Sequence, residues 1–180
     1  SGQFAFQAFS RMCQSKVVAK NASSAWTFVA DIFNKFISKV HIVRDCLDVI
    51  LSLCSHNDGR NHKLCISYSV PMLLVRAVIL YSDCEVTIEK STRTLCNMLH
   101  DAERPSGSSM VNSLIVANIS DALPNTIIKH LHNLSIAVHG TKALMLLSAS
   151  GKPKTLKIVG SSAAKVFIKS LQCCTSTACN

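Results

Sequence analysis

Glycine and proline are scarce, 6 and 4 among 180 residues, which leaves room for long uninterrupted elements and little for collagen-like, low-complexity or glycine-rich phosphate-loop segments. Aromatic residues are also few, and after Tyr81 only Phe167 remains. Base-stacking platforms for single-stranded nucleic acid therefore lack their side chains. The longest apolar stretch, Val70 to Tyr81, is broken by Arg76 and falls short of the roughly 20 residues that a bilayer crossing needs, so no membrane span is expected. The opening SGQFAFQAFSRM lacks the basic-then-apolar order of a secretory signal. Acid is missing from the last third of the chain. Asp121 is the final carboxylate, and residues 122–180 carry seven lysines without compensation.

What is present points to helices. Hydrophobic residues make up 48% of the chain, and they recur at helical spacing: Phe6, Phe9, Cys13 and Val17, then Phe28, Ile32, Phe36 and Val40, then Val43, Cys46, Leu47, Ile50 and Leu53. The spacing predicts helices over 3–19, 24–39 and 41–55. A turn is expected at Asn57-Asp58-Gly59, then a short segment at 62–68. Ser69 and Pro71 open a helix to Tyr81, and Ser82-Asp83-Cys84-Glu85 has the form of a capping box that starts another to His100. Residues 103–109 read as a loop. Further helices are predicted at 109–119, at 124–138 with Gly140 as stop, at 141–149 and at 161–172. Nine cysteines, at 13, 46, 54, 65, 84, 96, 173, 174 and 179, lie mostly in apolar runs without disulfide-like pairing. They read as reduced thiols packing as small hydrophobes, which implies an intracellular location, cytoplasmic or nuclear.

The longest helices share a phrase: DVILSLCS at 48–55, RTLCNMLH at 93–100, KHLHNLSI at 129–136 and a weaker VFIKSLQC at 166–173. Aligned on Ser52, Asn97, Asn133 and Ser170, the phrases recur at intervals of 45, 36 and 37 residues, the length of a helical repeat. Leu95-Cys96-Asn97-Met98-Leu99 and Leu131-His132-Asn133-Leu134 resemble the L-x-N-L core of the third helix of the armadillo repeat. Ser69-Val70-Pro71-Met72-Leu73-Leu74 followed by Ser82-Asp83-Cys84-Glu85-Val86 likewise resembles that family's second helix and following turn.

The resemblance implies an all-α, armadillo-like helical repeat, a right-handed α-solenoid of about three to four units over residues 41–172. Residues 1–40 would form an N-terminal helical cap or a dimer face, giving homo-oligomers, and residues 173–180 a flexible cysteine-containing tail. It also implies that Asn97 and Asn133 hold the backbone of an extended peptide in a concave groove. The family often has Trp four residues before that Asn. Here Arg93 and Lys129 stand there, with Asp48 and Val166 at the outer phrases, and guanidinium and ammonium groups pair with carboxylates or phosphates. The expected function is a non-enzymatic protein-interaction scaffold taking an acidic or phosphorylated segment along Arg93, Asn97, Lys129 and Asn133, with no cofactor. The rival reading is a nucleic-acid-binding helical repeat that uses a basic patch of Lys142, Lys152, Lys154, Lys157, Lys165 and Lys169 to contact phosphates.

Other chemistry is thinly represented. Cys54, His56, His62 and Cys65 could supply four zinc ligands, but the spacing fits no common zinc pattern, and core packing is the preferred reading of both cysteines. Cys96 and His100 lie one helical turn apart, a separation that seven histidines make frequent by chance, and a packed Cys beside a solvated His is preferred to a nucleophile and base. His130, His132 and His139 are read as ordinary helix residues.

Overall fold

A computed structural model of the chain describes residues 23–55, 59–100, 107–149, 159–161 and 163–169. All regular elements among them are helical and none is a strand: α1 (Ser23–Lys35), α2 (Val40–Ser55), α3 (Gly59–Ser67), α4 (Val70–Leu80), α5 (Glu85–Leu99), α6 (Gly107–Val116), α7 (Ile119–Lys129) and α8 (Leu134–Ala149). Residues 159–161 and 163–169 are helical as well. Among the described residues no helix is long and apolar enough to cross a membrane. The helix expected at 3–19, the turn at 57–58, most of the 103–109 loop and the tail lie outside the described residues.

Like helices pack on like. The long helices α2, α5 and α8 lie side by side in that order, α1, α4 and α7 form a second row, and α3 lies against α6. Each long helix also packs on the helix before it, α2 on α1, α5 on α4 and α8 on α7. The residues that make this possible recur at helical spacing: Trp26, Val29 and Phe33 on α1, Leu74 and Val78 on α4, Leu123 and Ile127 on α7, all fully buried. Against them stand Ile50 and Leu53 of α2, Leu95 and Met98 of α5, and Leu144 and Leu147 of α8, equally buried. Each such side chain contributes about 1.5–3 kcal/mol of transfer free energy.

One turn geometry joins three of these pairs. The Phe36 N–H donates to the Ile32 carbonyl at 2.9 Å, Lys39 to Phe36 at 2.8 Å and Val43 to Lys39 at 3.0 Å. The same three bonds are made by Tyr81, Cys84 and Ile88 (2.9, 2.8 and 3.0 Å) and by His130, Asn133 and Ala137 (3.2, 2.9 and 3.0 Å). The entry to α4 and α7 is shared too: Ser69 and Asn118 both take the left-handed conformation, with φ of 55° and 69°. Asn tolerates this region better than most residues. Successive turns are then tied together, since the Tyr81 hydroxyl donates to the Ile37 carbonyl at 2.7 Å and His130 Nε2–H to the Ser82 carbonyl at 2.7 Å.

Several boundaries differ from the sequence expectation. The single helix expected at 124–138 is two helices, because the chain turns at His130–Asn133. Pro124 lies inside α7 and is buried instead of opening a helix. Gly140 does not stop a helix but sits within α8, where a Cβ would come 2.6 Å from Cγ1 of Ile127. Absence of a side chain there lets α8 approach α7. At the capping-box sequence the helix begins only at Glu85, after Cys84, and no side chain caps it. Glu85 instead turns its carboxylate toward the following turn, where Asn133 and His132 meet it.

Candidate functional site

The three long helices present one face to solvent, and the turn geometry fixes which of their residues correspond. The turns repeat at intervals of 45 residues from Phe36 to Tyr81 and 49 from Tyr81 to His130. On that register Asp48, Arg93 and Lys142 occupy equivalent positions on α2, α5 and α8, with Ser52, Asn97 and Leu146 one turn further on. Arg93 and Lys142 are exposed, and neither carries an ion pair among the described residues. Asp48 is different, since Lys90 of α5 pairs with both of its oxygens. Asn97 is half-buried and its Nδ2 donates to Ser55 Oγ at 3.4 Å, bridging α5 to the end of α2.

Lys129 and Asn133 are placed elsewhere. Lys129 is the last residue of α7 and pairs with Asp83 of the preceding turn, an ion pair that holds the Asp83 carboxyl below its ordinary range. Asn133 lies just before α8, where its Oδ1 accepts from the Ile136 N–H at 3.1 Å as a helix cap and its Nδ2 donates to Glu85 Oε1 at 2.7 Å. That Asn133 bond, followed by one from His132, lowers the Glu85 pKa. The alignment of Asn133 with Asn97 is thereby corrected: Asn97 sits in the last turn of α5, whereas Asn133 corresponds to Cys84. Asn133 meets Glu85, and Arg93 lies eight residues further along the same helix, about 12 Å at the rise of an α-helix. A shared L-x-N wording aligned a turn residue with a helix residue.

Of the basic patch, Lys142, Lys165 and Lys169 are exposed, and Lys152, Lys154 and Lys157 lie outside the described residues. No protein-family model, no curated protein and no solved structure matches the chain. The armadillo likeness accordingly rests on the phrases of the sequence and the order of the helices.

The cysteine and histidine candidates are held in packing. Burial, and then a hydrogen bond with Cys54, push the Cys65 thiol well up. His62 is buried and its Nε2–H donates to the Met98 carbonyl at 2.6 Å, joining α3 to α5. His56 lies outside the described residues. Burial also raises the Cys96 thiol beside the exposed His100, the reverse of what a nucleophilic thiolate needs. The Cys46 thiol, buried and next to Asp45, is pushed up to about 12. Cys84 is the exception: burial opposes ionisation, but the Thr87 hydroxyl and N–H and the Arg44 guanidinium, 2.8 Å from its sulfur, together hold this thiol below its ordinary value.

The sequence reading did not single out one further cluster. A ring nitrogen of His130, a ring nitrogen of His132 and a carboxylate oxygen of Glu85 lie within 4.8 Å of one another. The two histidines belong to the turn before α8 and not to a helix interior, so they can converge. The H-x-H spacing was visible in the sequence; the third member, 45 residues upstream, comes near only through the stacking of the turns.

Proposed function

We propose that this chain is an armadillo-like helical repeat module that binds a partner protein and is not an enzyme. The like-on-like rows of helices and the thrice-used turn support three units, the first represented by α1 and α2, the second by α3–α5 and the third by α6–α8. On this reading α1 belongs to the first unit. The long helices α2, α5 and α8 line the concave surface, and an extended acidic or phosphorylated segment lies across them.

The observation that carries this reading is the row Asp48, Arg93, Lys142. Where Asp48 is neutralised by Lys90, the next two positions present cations that no described carboxylate engages. An exposed Arg and Lys on adjacent, rigid helices offer a forked donor and a point charge to carboxylates or phosphates. Asn97, one turn beyond Arg93, supplies a neutral amide for the ligand backbone. Lys129 and Asn133 serve the turn instead. Five free thiols among the described residues fit a reducing, intracellular setting.

Fluorescence anisotropy with a labelled glutamate-rich peptide and its phosphoserine counterpart tests the groove. Joint Arg93→Glu and Lys142→Glu substitution should weaken binding at least tenfold while leaving helicity unchanged; unaltered affinity would refute the assignment. The nucleic-acid reading predicts something else. A duplex or single strand should then bind with a log–log salt slope proportional to the phosphates contacted, and Lys165→Glu with Lys169→Glu should abolish it.

A further inference from the structure

We propose that Glu85, His130 and His132 form a binding site for a zinc-class divalent metal ion that clips the α4–α5 turn to the α7–α8 turn. Two imidazoles and one carboxylate are a ligand set suited to zinc, with a fourth position left for water or a ligand from a partner. Around a tetrahedral ion with bonds of about 2.0–2.1 Å, ligand atoms stand about 3.3 Å apart. His132 Nε2 and Glu85 Oε2 are already 3.5 Å apart, and the whole set lies within 4.8 Å.

The more accessible members are the ones that must move. His132 and Glu85 keep 68% and 42% of their side-chain exposure, so closing the remaining distance takes only side-chain rotation. His130 is buried, and it is the anchor. Because a carbonyl only accepts, the bond to Ser82 requires the proton on Nε2 of His130, which leaves its other nitrogen with a lone pair in the neutral ring. A ligand histidine commonly donates its second ring N–H in this way, to a carbonyl that fixes tautomer and orientation. Asn133 does the same for the carboxylate, donating to Glu85 Oε1 at 2.7 Å and leaving Oε2 toward His132. Asp83, in the same turn as Ser82, is close enough for its charge to interact with His130, but Lys129 already pairs with it, so Glu85 is the carboxylate that answers the ion.

The ligands come from two successive turns, so occupancy reports on their stacking. A ligand that binds only the folded arrangement raises stability by mass action. The full chain, stripped with chelator, is titrated with zinc by calorimetry and with cobalt(II) by absorbance. One equivalent should bind, the melting temperature should rise by a few degrees and fall back on chelation, and the cobalt spectrum should lack thiolate-to-metal charge transfer. His132→Gln, at an exposed position, and Glu85→Gln, at a half-buried one, should each weaken binding at least tenfold. His100→Gln, at an exposed histidine remote from the cluster, should not. Equal affinity in His132→Gln and Glu85→Gln, a thiolate band that assigns the metal to the cysteines, or no saturable binding would each overturn the site.

Discussion

The junction between α2 and α5 and the junction between α5 and α8 use one packing geometry with different chemistry. Between α2 and α5, polar bonds run along the helices: Arg44 to Thr87 and Cys84 at the start, Lys90 to Asp48 in the middle, Asn97 to Ser55 at the end. Between α5 and α8, the described side-chain bonds gather at the turn, where Asn133 and His132 meet Glu85. Along the rest of α8 close packing takes over, with Gly140 near Thr92 of α5 as well as Ile127 of α7. Acid is the reason. Helix α2 supplies Asp45 and Asp48 for α5 to answer, whereas α8 contains no carboxylate. The first junction thus pairs its charges internally, and the second leaves Arg93 and Lys142 without an ion pair among the described residues.

The largest expected effect lies on α5, which serves both junctions. Leu95→Ala, at a fully buried position, should cost about 2–5 kcal/mol, read by denaturant unfolding as one transition if the two junctions are cooperative and as two if they are not. Gly140→Ala probes the packing of α8 on α7 beside the second junction. Its Cβ would stand 2.6 Å from Ile127 Cγ1, and the overpacking cost of about 1–3 kcal/mol exceeds the gain in helix propensity of about 1 kcal/mol, for a net loss in thermal stability. Arg44→Ala probes the first junction, removing two partly buried hydrogen bonds at about 1–2 kcal/mol. It should also return the Cys84 thiol toward its ordinary reactivity, measurable by the pH dependence of alkylation.

The smallest effects are electrostatic. Burial first, then the neighbouring Asp48, raise the Asp45 pKa, with Lys90 and His41 opposing. A carboxyl whose folded pKa lies above its unfolded value destabilises the fold when ionised. Asp45→Asn should therefore stabilise slightly at neutral pH, with the advantage shrinking as pH falls through the raised pKa and gone below about pH 4. Asp48→Ala breaks a half-exposed pair and should cost no more than about 1 kcal/mol, less in high salt.

The residues that were legible in the sequence are those whose neighbours are local. Val43, Cys46, Leu47, Ile50 and Leu53 mark α2 by their spacing, and Ser69 with Pro71 marks the start of α4. Gly140 and Pro124 misled because their meaning is tertiary: one is a point of close approach, the other a buried side chain held inside α7. The phrase LCNML lies on α5, where Arg93 is exposed and Asn97 half-buried. It could not show that the residue matching on the turn register is Lys142, because the interval from Tyr81 to His130 is 49 residues and not the 45 from Phe36 to Tyr81. Glu85 near His130 and His132 was hidden for the same reason, since only the stacked turns bring them together.

The most direct measurement of the central claim is photo-crosslinking of the labelled acidic peptide to chains carrying a benzophenone side chain at position 97 on α5, at position 72 on the outer face of α4, or at position 165. A groove along the long helices predicts crosslinks from 97 that salt and the Arg93→Glu, Lys142→Glu pair suppress, with none from 72 or 165. Crosslinking from 165 or 72, with 97 silent, would contradict it.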